Sequence, residues 1–116
     1  MSMVSADRQE QTWVVSFTHS ELDALVSRQL AEELQSLADK VGGEPVVLDM
    51  ARVSFVQSEA LGALVAFRNQ LKDRGATVAV AGPTPPIRRA LHITRLDVIF
   101  DVYPNLDEAL ANLRGR

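Results

Sequence analysis

Apolar residues recur along this chain with two periods, and the period changes at readable points. Trp13-Val14-Val15-Ser16-Phe17 is a run of β-branched and aromatic residues and predicts a strand. Met3-Val4 ahead of it predicts a weaker edge strand or a frayed terminus, and the first 12 residues carry no clear pattern. Thr18 followed by Glu21 has capping-box spacing, in which each residue satisfies a backbone donor of the other, so a helix is predicted to start there. Leu22, Val26, Leu30, Leu34, Leu37 and Val41 then recur at spacings of three and four with polar residues between, which predicts an amphipathic helix with one buried stripe. Gly42-Gly43 ends it, since glycine accepts the left-handed conformation common just past a helix.

Val46-Val47-Leu48 is apolar without alternation and closes with Asp49-Met50, as expected of a central strand covered on both faces. A connection over 52–57 holds Val53, Phe55 and Val56, and Ser58 is the predicted N-cap of the next helix. That helix, over 59–74, mixes Leu61, Leu64, Val65, Phe67 and Leu71 with small Ala60, Gly62, Ala63 and Ala66. Its first turns are apolar nearly all round, so it is either mostly buried or presents a small-residue face to a partner. Gly75 stops it, a strand is predicted over 77–81, and Gly82-Pro83 turns the chain. Thr84-Pro85 reads as a cap followed by a proline at the first helical position, opening a short helix with Ile87, Leu91 and the pair Arg88-Arg89. A last strand is predicted over 97–102, and Asn105 with Glu108 opens a final helix through Leu106, Ala109, Leu110 and Leu113. The alternation of strand and helix predicts an α/β sheet with right-handed crossovers.

Composition narrows the function classes. A chain of 116 residues, 47% apolar and 23% charged, is expected to fold as a single domain spanning 1–116. No apolar run reaches the roughly 18 residues of a membrane span and no signal peptide opens the chain, so a soluble, cytoplasmic protein without membrane insertion is expected. The absence of cysteine excludes disulfides, thiolate catalysis and cysteine-held metals. His19 and His92 are far apart in sequence, which argues against a histidine metal site, and neither a metal nor a cofactor is expected. A net charge of −3, from 12 basic and 15 acidic residues, gives no electrostatic footprint for nucleic acid.

Catalysis finds little support in the residues. Asp49 at a strand end resembles the phospho-acceptor of a response-regulator receiver, a position where α/β folds place chemistry. A receiver also needs further carboxylates after its first strand, where this chain has Phe17-Thr18-His19, and a lysine after its last strand, where it has none. Asp49 reads better as a turn former. The glycines lack phosphate-loop spacing, and Ser58 has no histidine base nearby and no nucleophile elbow around it. His92 reads as a surface or core-edge residue, Arg88-Arg89 as a solvated helix face, and Trp13, Phe55, Phe67, Phe100 and Tyr103 as core. A non-enzymatic protein is expected.

An ordered set of segments carries a family resemblance. It runs through Val46-Val47-Leu48-Asp49, Val53-Ser54-Phe55-Val56 and Ala60-Leu61-Gly62-Ala63-Leu64. It continues through Gly82-Pro83, Ile87-Arg88-Arg89-Ala90-Leu91, Leu96-Asp97, Phe100 and Leu106-Asp107-Glu108-Ala109-Leu110, with Glu21-Leu22-Asp23 upstream. Over roughly residues 12–112 the chain resembles a STAS domain of the bacterial anti-sigma factor antagonist family. The resemblance implies a mixed central sheet of four to five strands packed by about four helices, and a first helix beginning after Asp23.

It also implies a protein-binding switch in transcription regulation. Such antagonists bind an anti-sigma factor that is itself a serine kinase, and phosphorylation at the start of their second helix breaks the complex. The family pattern there is aspartate, serine, a modified serine or threonine, then glycine. In this register Gln57 replaces the aspartate, Ser58 keeps the first serine, Glu59 stands at the modified position and Ala60 replaces the glycine. Glutamate has no hydroxyl to phosphorylate, although its charge suits a helix N-terminus. Glu59 therefore marks a lost switch, a fixed mimic of the phosphorylated state or a direct contact, and Ser58 is expected to cap the helix rather than to accept phosphate. The resemblance places the partner surface at Asp23, Phe55, Gln57, Ser58, Glu59, Leu61 and Gly62. The expected partner is a serine-kinase anti-sigma factor. The alternative is a non-phosphorylated scaffold in a stress-sensing assembly, or a lipid-transporter subunit. Monomer and weak homodimer stay equally open.

Overall fold

The computed structural model describes residues 2–114. In chain order the elements are β1 Val4–Gln9, β2 Thr12–Phe17, β3 Glu21–Leu22, α1 Ala24–Val41, β4 Val46–Asp49, β5 Phe55–Val56 and α2 Ser58–Asp73. There follow β6 Val78–Ala81, α3 Pro85–Ile93, α4 Leu96–Ile99, β7 Asp101–Tyr103 and α5 Leu106–Arg114. The main sheet has the order β1-β2-β4-β6-β7; β1 is antiparallel to β2 and the other pairs are parallel. The sheet is thus mixed, with five strands, as the resemblance implied.

Burial explains the unbroken apolarity of β4. Val46, Val47 and Leu48 are all 0% exposed, because β4 lies between β2 and β6 and both its faces are covered. Val46 and Leu48 meet the stripe of α1 (Leu30, Leu34, Leu37 and Val41) and the inner side of α2. Val47 joins Val14, Ala79 and Ala81 under Ala109, Leu110 and Leu113 of α5. Gly42, at φ 66, ends α1 as expected, and Arg74 at the end of α2 donates to the Ala38 carbonyl and pairs with Asp39 at 3.0 Å, tying the two helices together.

The unpatterned N-terminal stretch forms the edge strand β1, a full hairpin partner of β2. Glu10 and Gln11 make the turn with φ of 50° and 71°. Two-residue hairpin turns with both φ positive suit glycine or asparagine, and an ordinary L-residue pays about 1–2 kcal/mol there. Gln11→Gly is therefore expected to raise the melting temperature by about 3 °C after the entropy of the freer unfolded chain is deducted. A lowered melting temperature in a calorimetric scan would show that the glutamine side chain contributes more than the strain removes.

Three predicted caps change on inspection. Thr18 does not cap a helix: its hydroxyl donates to the carbonyls of Ser2 (2.7 Å) and Met3 (3.1 Å), and its amide donates to Met3. Glu21 is taken into β3, and the cap of α1 is Asp23, whose carboxylate accepts from the Leu25 amide at 3.0 Å. Ser58 is already the first helical residue of α2, because the Gln57 amide is held by the Leu22 carbonyl and Gln57 becomes the extended residue before the helix, with no side-chain cap bond. Thr84 does occupy the N-cap position ahead of Pro85, but its hydroxyl donates to the Val53 carbonyl at 2.7 Å instead of to the helix. The capping pair at Asn105 forms: the Glu108 amide donates to the Asn105 side chain at 2.9 Å.

The strand predicted over 97–102 is also corrected. Arg95, at φ 60, reverses the chain, and α4 Leu96–Ile99 precedes a shorter β7. Half-buried Leu96 and buried Phe100 are four residues apart, so one helical turn brings both toward the core. That anchoring outweighs the local β preference of Val98 and Ile99.

Glu33 pins the start of β1. Its carboxylate accepts from the amides of Met3 (2.9 and 2.8 Å) and Val4 (3.2 Å) and from the Gln29 side chain. Partial burial alone pushes its pKa up, but these donors outweigh it and hold the carboxyl below its ordinary value. A depressed folded pKa stabilises the fold above the unfolded value, and the contribution disappears as pH falls through the folded one. Glu33→Gln is expected to flatten the acid limb of the pH–stability curve below about pH 4.5. Parallel acid limbs in urea titrations of the two proteins would remove Glu33 from that role.

Candidate protein-binding site

A two-stranded parallel ladder, Glu21↔Phe55 and Leu22↔Val56, joins the loop before α1 to the loop before α2. Backbone bonds extend it at both ends. The Ser54 amide donates to Ser20 at 2.8 Å and the Gln57 amide to Leu22 at 2.8 Å. The cap of α1 at Asp23 is thereby fixed beside the first turn of α2. The resemblance placed Asp23, Phe55, Gln57, Ser58, Glu59, Leu61 and Gly62 in one surface, and the ladder brings the two loops that carry or precede them together.

Their exposures differ in ways that matter. Ser58, Glu59 and Gly62 are exposed, Gln57 and Asp23 are half-buried, and Phe55 is 48% exposed rather than core. Phe55 stays out because its strand is only two residues long and neighbouring Val56 takes the inward position. Leu61 is 7% exposed and packs in the main core, so it is withdrawn from the surface set. Among the described residues, Glu59 forms no ion pair, and it lies in the first turn of α2 at the positive end of the helix dipole. Among the described residues the Ser58 hydroxyl makes no hydrogen bond, so the helix does not occupy it.

Gly62 is informative. A Cβ added there meets nothing within 4 Å, so neither packing nor backbone conformation demands glycine. In a helix interior glycine costs about 0.5–1 kcal/mol relative to alanine. With exposed Ala66 one turn on, it gives α2 a small-residue outer face, one of the two arrangements the sequence left open, while Ala60 is buried.

One exposed residue was missed. Leu25, in the first turn of α1, is 91% exposed. It lies off the buried stripe of its helix, and an off-stripe leucine directly after a cap was the signal available.

Asp49 serves as a turn former: its carboxylate accepts from the Ala51 amide at 3.2 Å. A cavity of about 240 Å³ beside it is lined by Ser16, Phe17, Ala51 and Arg52. Among the described residues no group of three or more histidine, aspartate or glutamate side chains gathers as a metal site, and no helix is long and apolar enough to cross a membrane.

Residues 4–109 match the STAS domain family. The chain belongs to that family. Among curated relatives of this STAS domain, an anti-sigma F factor antagonist from Paenibacillus polymyxa is 27% identical over 93 residues, 80% of each chain. A Thermotoga neapolitana protein named as an anti-sigma factor antagonist homologue is 31% identical over 75 residues, 65% of this chain and 66% of that one. A solved anti-sigma-factor antagonist (STAS) domain protein from Planctomyces limnophilus superposes with a TM-score of 0.88 over 97% of this chain and 98% of its own, at 22% identity. That likeness concerns the fold.

Proposed function

We propose that this STAS domain is a non-enzymatic regulator that binds an anti-sigma factor through the face built on Asp23, Phe55, Gln57, Ser58, Glu59 and Gly62, without a phosphorylation switch at position 59. The observation that carries the reading is the opening of α2: an acid with no ion pair among the described residues and, in the second turn, an unconstrained glycine, both exposed, beside the cap of α1. The named relatives support the partner class. Glu59 supplies one fixed negative charge where a phosphoserine would carry about −1.5 to −2 and three acceptor oxygens.

The test is affinity capture from host lysate with wild type and Glu59→Ser as paired baits, followed by radiolabelled ATP. The reading expects a kinase-type anti-sigma factor on both baits and label only on the serine variant. Recovery of transporter or sensory-scaffold subunits, indifferent to position 59, overturns it in favour of an assembly role. The missing hydroxyl at position 59 is what favours that second reading. Gly62→Ala gives an independent check: a melting temperature raised by about 2–4 °C with weakened partner binding is expected, because alanine favours the helix but fills the close approach. Unchanged affinity would take Gly62 out of the interface.

A further inference from the structure

Four of the six large apolar side chains exposed among the described residues lie within ten positions of one another: Ile93 (71% exposed), Val98 (78%), Ile99 (36%) and Val102 (36%). They sit at the end of α3, on α4 and on the edge strand β7; α3 packs against α4 and α4 against β7, so they share one corner of the molecule. Arginine outnumbers carboxylate there, with Arg88, Arg89 and Arg95 against Asp97 and Asp101. Arg89 lies one turn before Ile93 on the outward side of α3, Arg88 is next to it, and Arg95 stands between Ile93 and Val98. None of the three guanidinium groups has a partner among the described residues, whereas His92 and Asp97 pair with each other at 3.1 Å. The proposed anti-sigma face lies elsewhere. α3 packs against β5, and just ahead of α3 the Thr84 hydroxyl donates to the Val53 carbonyl, two residues before β5. Ile93 lies a helix length farther on, about 12 Å at 1.5 Å per residue.

We infer that this corner docks an acidic, apolar-patterned segment of a second protein partner, independently of the anti-sigma face. Charge complementarity selects the occupant. Three unpaired arginines around branched apolar side chains fit carboxylates interleaved with leucine-like anchors. A two-fold pairing with another copy would set the same arginines against each other. An anionic bilayer suits the corner less, since three arginines fall short of the 4–8 basic residues typical of lipid-binding clusters, and the chain as a whole carries −3.

The experiment is display selection of a randomised 16-residue peptide library on the full chain. It is followed by amide chemical-shift mapping of an enriched peptide and by affinity measurement on wild type and Ile93→Asp/Val98→Asp. Both positions are too exposed for the substitutions to disturb the core, and a matching thermal melt checks this. Enriched peptides rich in aspartate or glutamate with apolar anchors, shifts confined to 88–102 and at least a tenfold affinity loss in the variant are expected, with binding to Glu59→Arg unchanged. Enriched peptides that are not acidic, or that map only to the start of α2, overturn the inference. Sedimentation with phosphatidylglycerol vesicles, or a dimer by light scattering, overturns it equally if either is abolished by the double variant. Loss of the proposed anti-sigma interaction would leave this result untouched, because the two surfaces are read by different variants.

Discussion

Phe67→Ala should lower the unfolding free energy by about 3–5 kcal/mol, the usual range for emptying a buried aromatic site. Phe67 is 1% exposed, lies on the inner side of α2 and belongs to the cluster that also holds Leu30, Leu34, Leu48 and Leu64. Its ring belongs to the core between α1, α2 and the sheet, and α1 and α2 are held from outside by the Arg74 bridge. The site cannot collapse without sliding the helices, which puts the expected loss toward the upper part of the range. Most domains of this size have only about 5–15 kcal/mol in total. Urea denaturation is the measurement: a midpoint lowered at unchanged slope is expected. A loss below about 1 kcal/mol would mean that the helices close over the gap.

Leu25→Asp should leave the melting temperature within about 2 °C of wild type yet weaken binding to the captured partner at least tenfold. A side chain that is 91% exposed contributes little to folding, and surface substitutions usually stay within about 0.5 kcal/mol. At an interface the same side chain can be an anchor, since a few central apolar residues carry most of the binding energy. Leu25 stands two residues from Asp23, and the β3–β5 ladder joins its loop to half-exposed Phe55. Titration calorimetry with the partner separates the two effects. Equal affinities would confine the interface to α2 and remove the first turn of α1 from it.

Long periodic segments were legible in the sequence and short cooperative ones were not. The stripe of α1 and the continuous apolarity of β4 follow from burial geometry alone, so their residues announce them. β3 and β5 are two residues each, too short for any period, and they exist because each is the other's partner. The last strand was misplaced because Val98, Ile99 and Val102 favour extended structure locally, whereas Leu96 and Phe100 fix a helical turn through packing. At the candidate site Glu59 was marked by the family resemblance, through the register of Ala60-Leu61-Gly62, and not by periodicity or composition. That Ser58 leaves its hydroxyl free was hidden, because it depends on a hydrogen bond from Gln57 to a residue 35 positions away.

That bond between the Gln57 amide and the Leu22 carbonyl has a further consequence. The ladder is made of main-chain groups, which nearly every residue type supplies alike. Side chains at 25, 55 and 59 can be exchanged while the distances between their attachment points stay constant, whereas Asp23 also caps α1. Placement and chemistry are thus inherited separately on this surface. On the partner face proposed above, a descendant can change recognition one side chain at a time, as a keyboard can be relabelled without moving its keys.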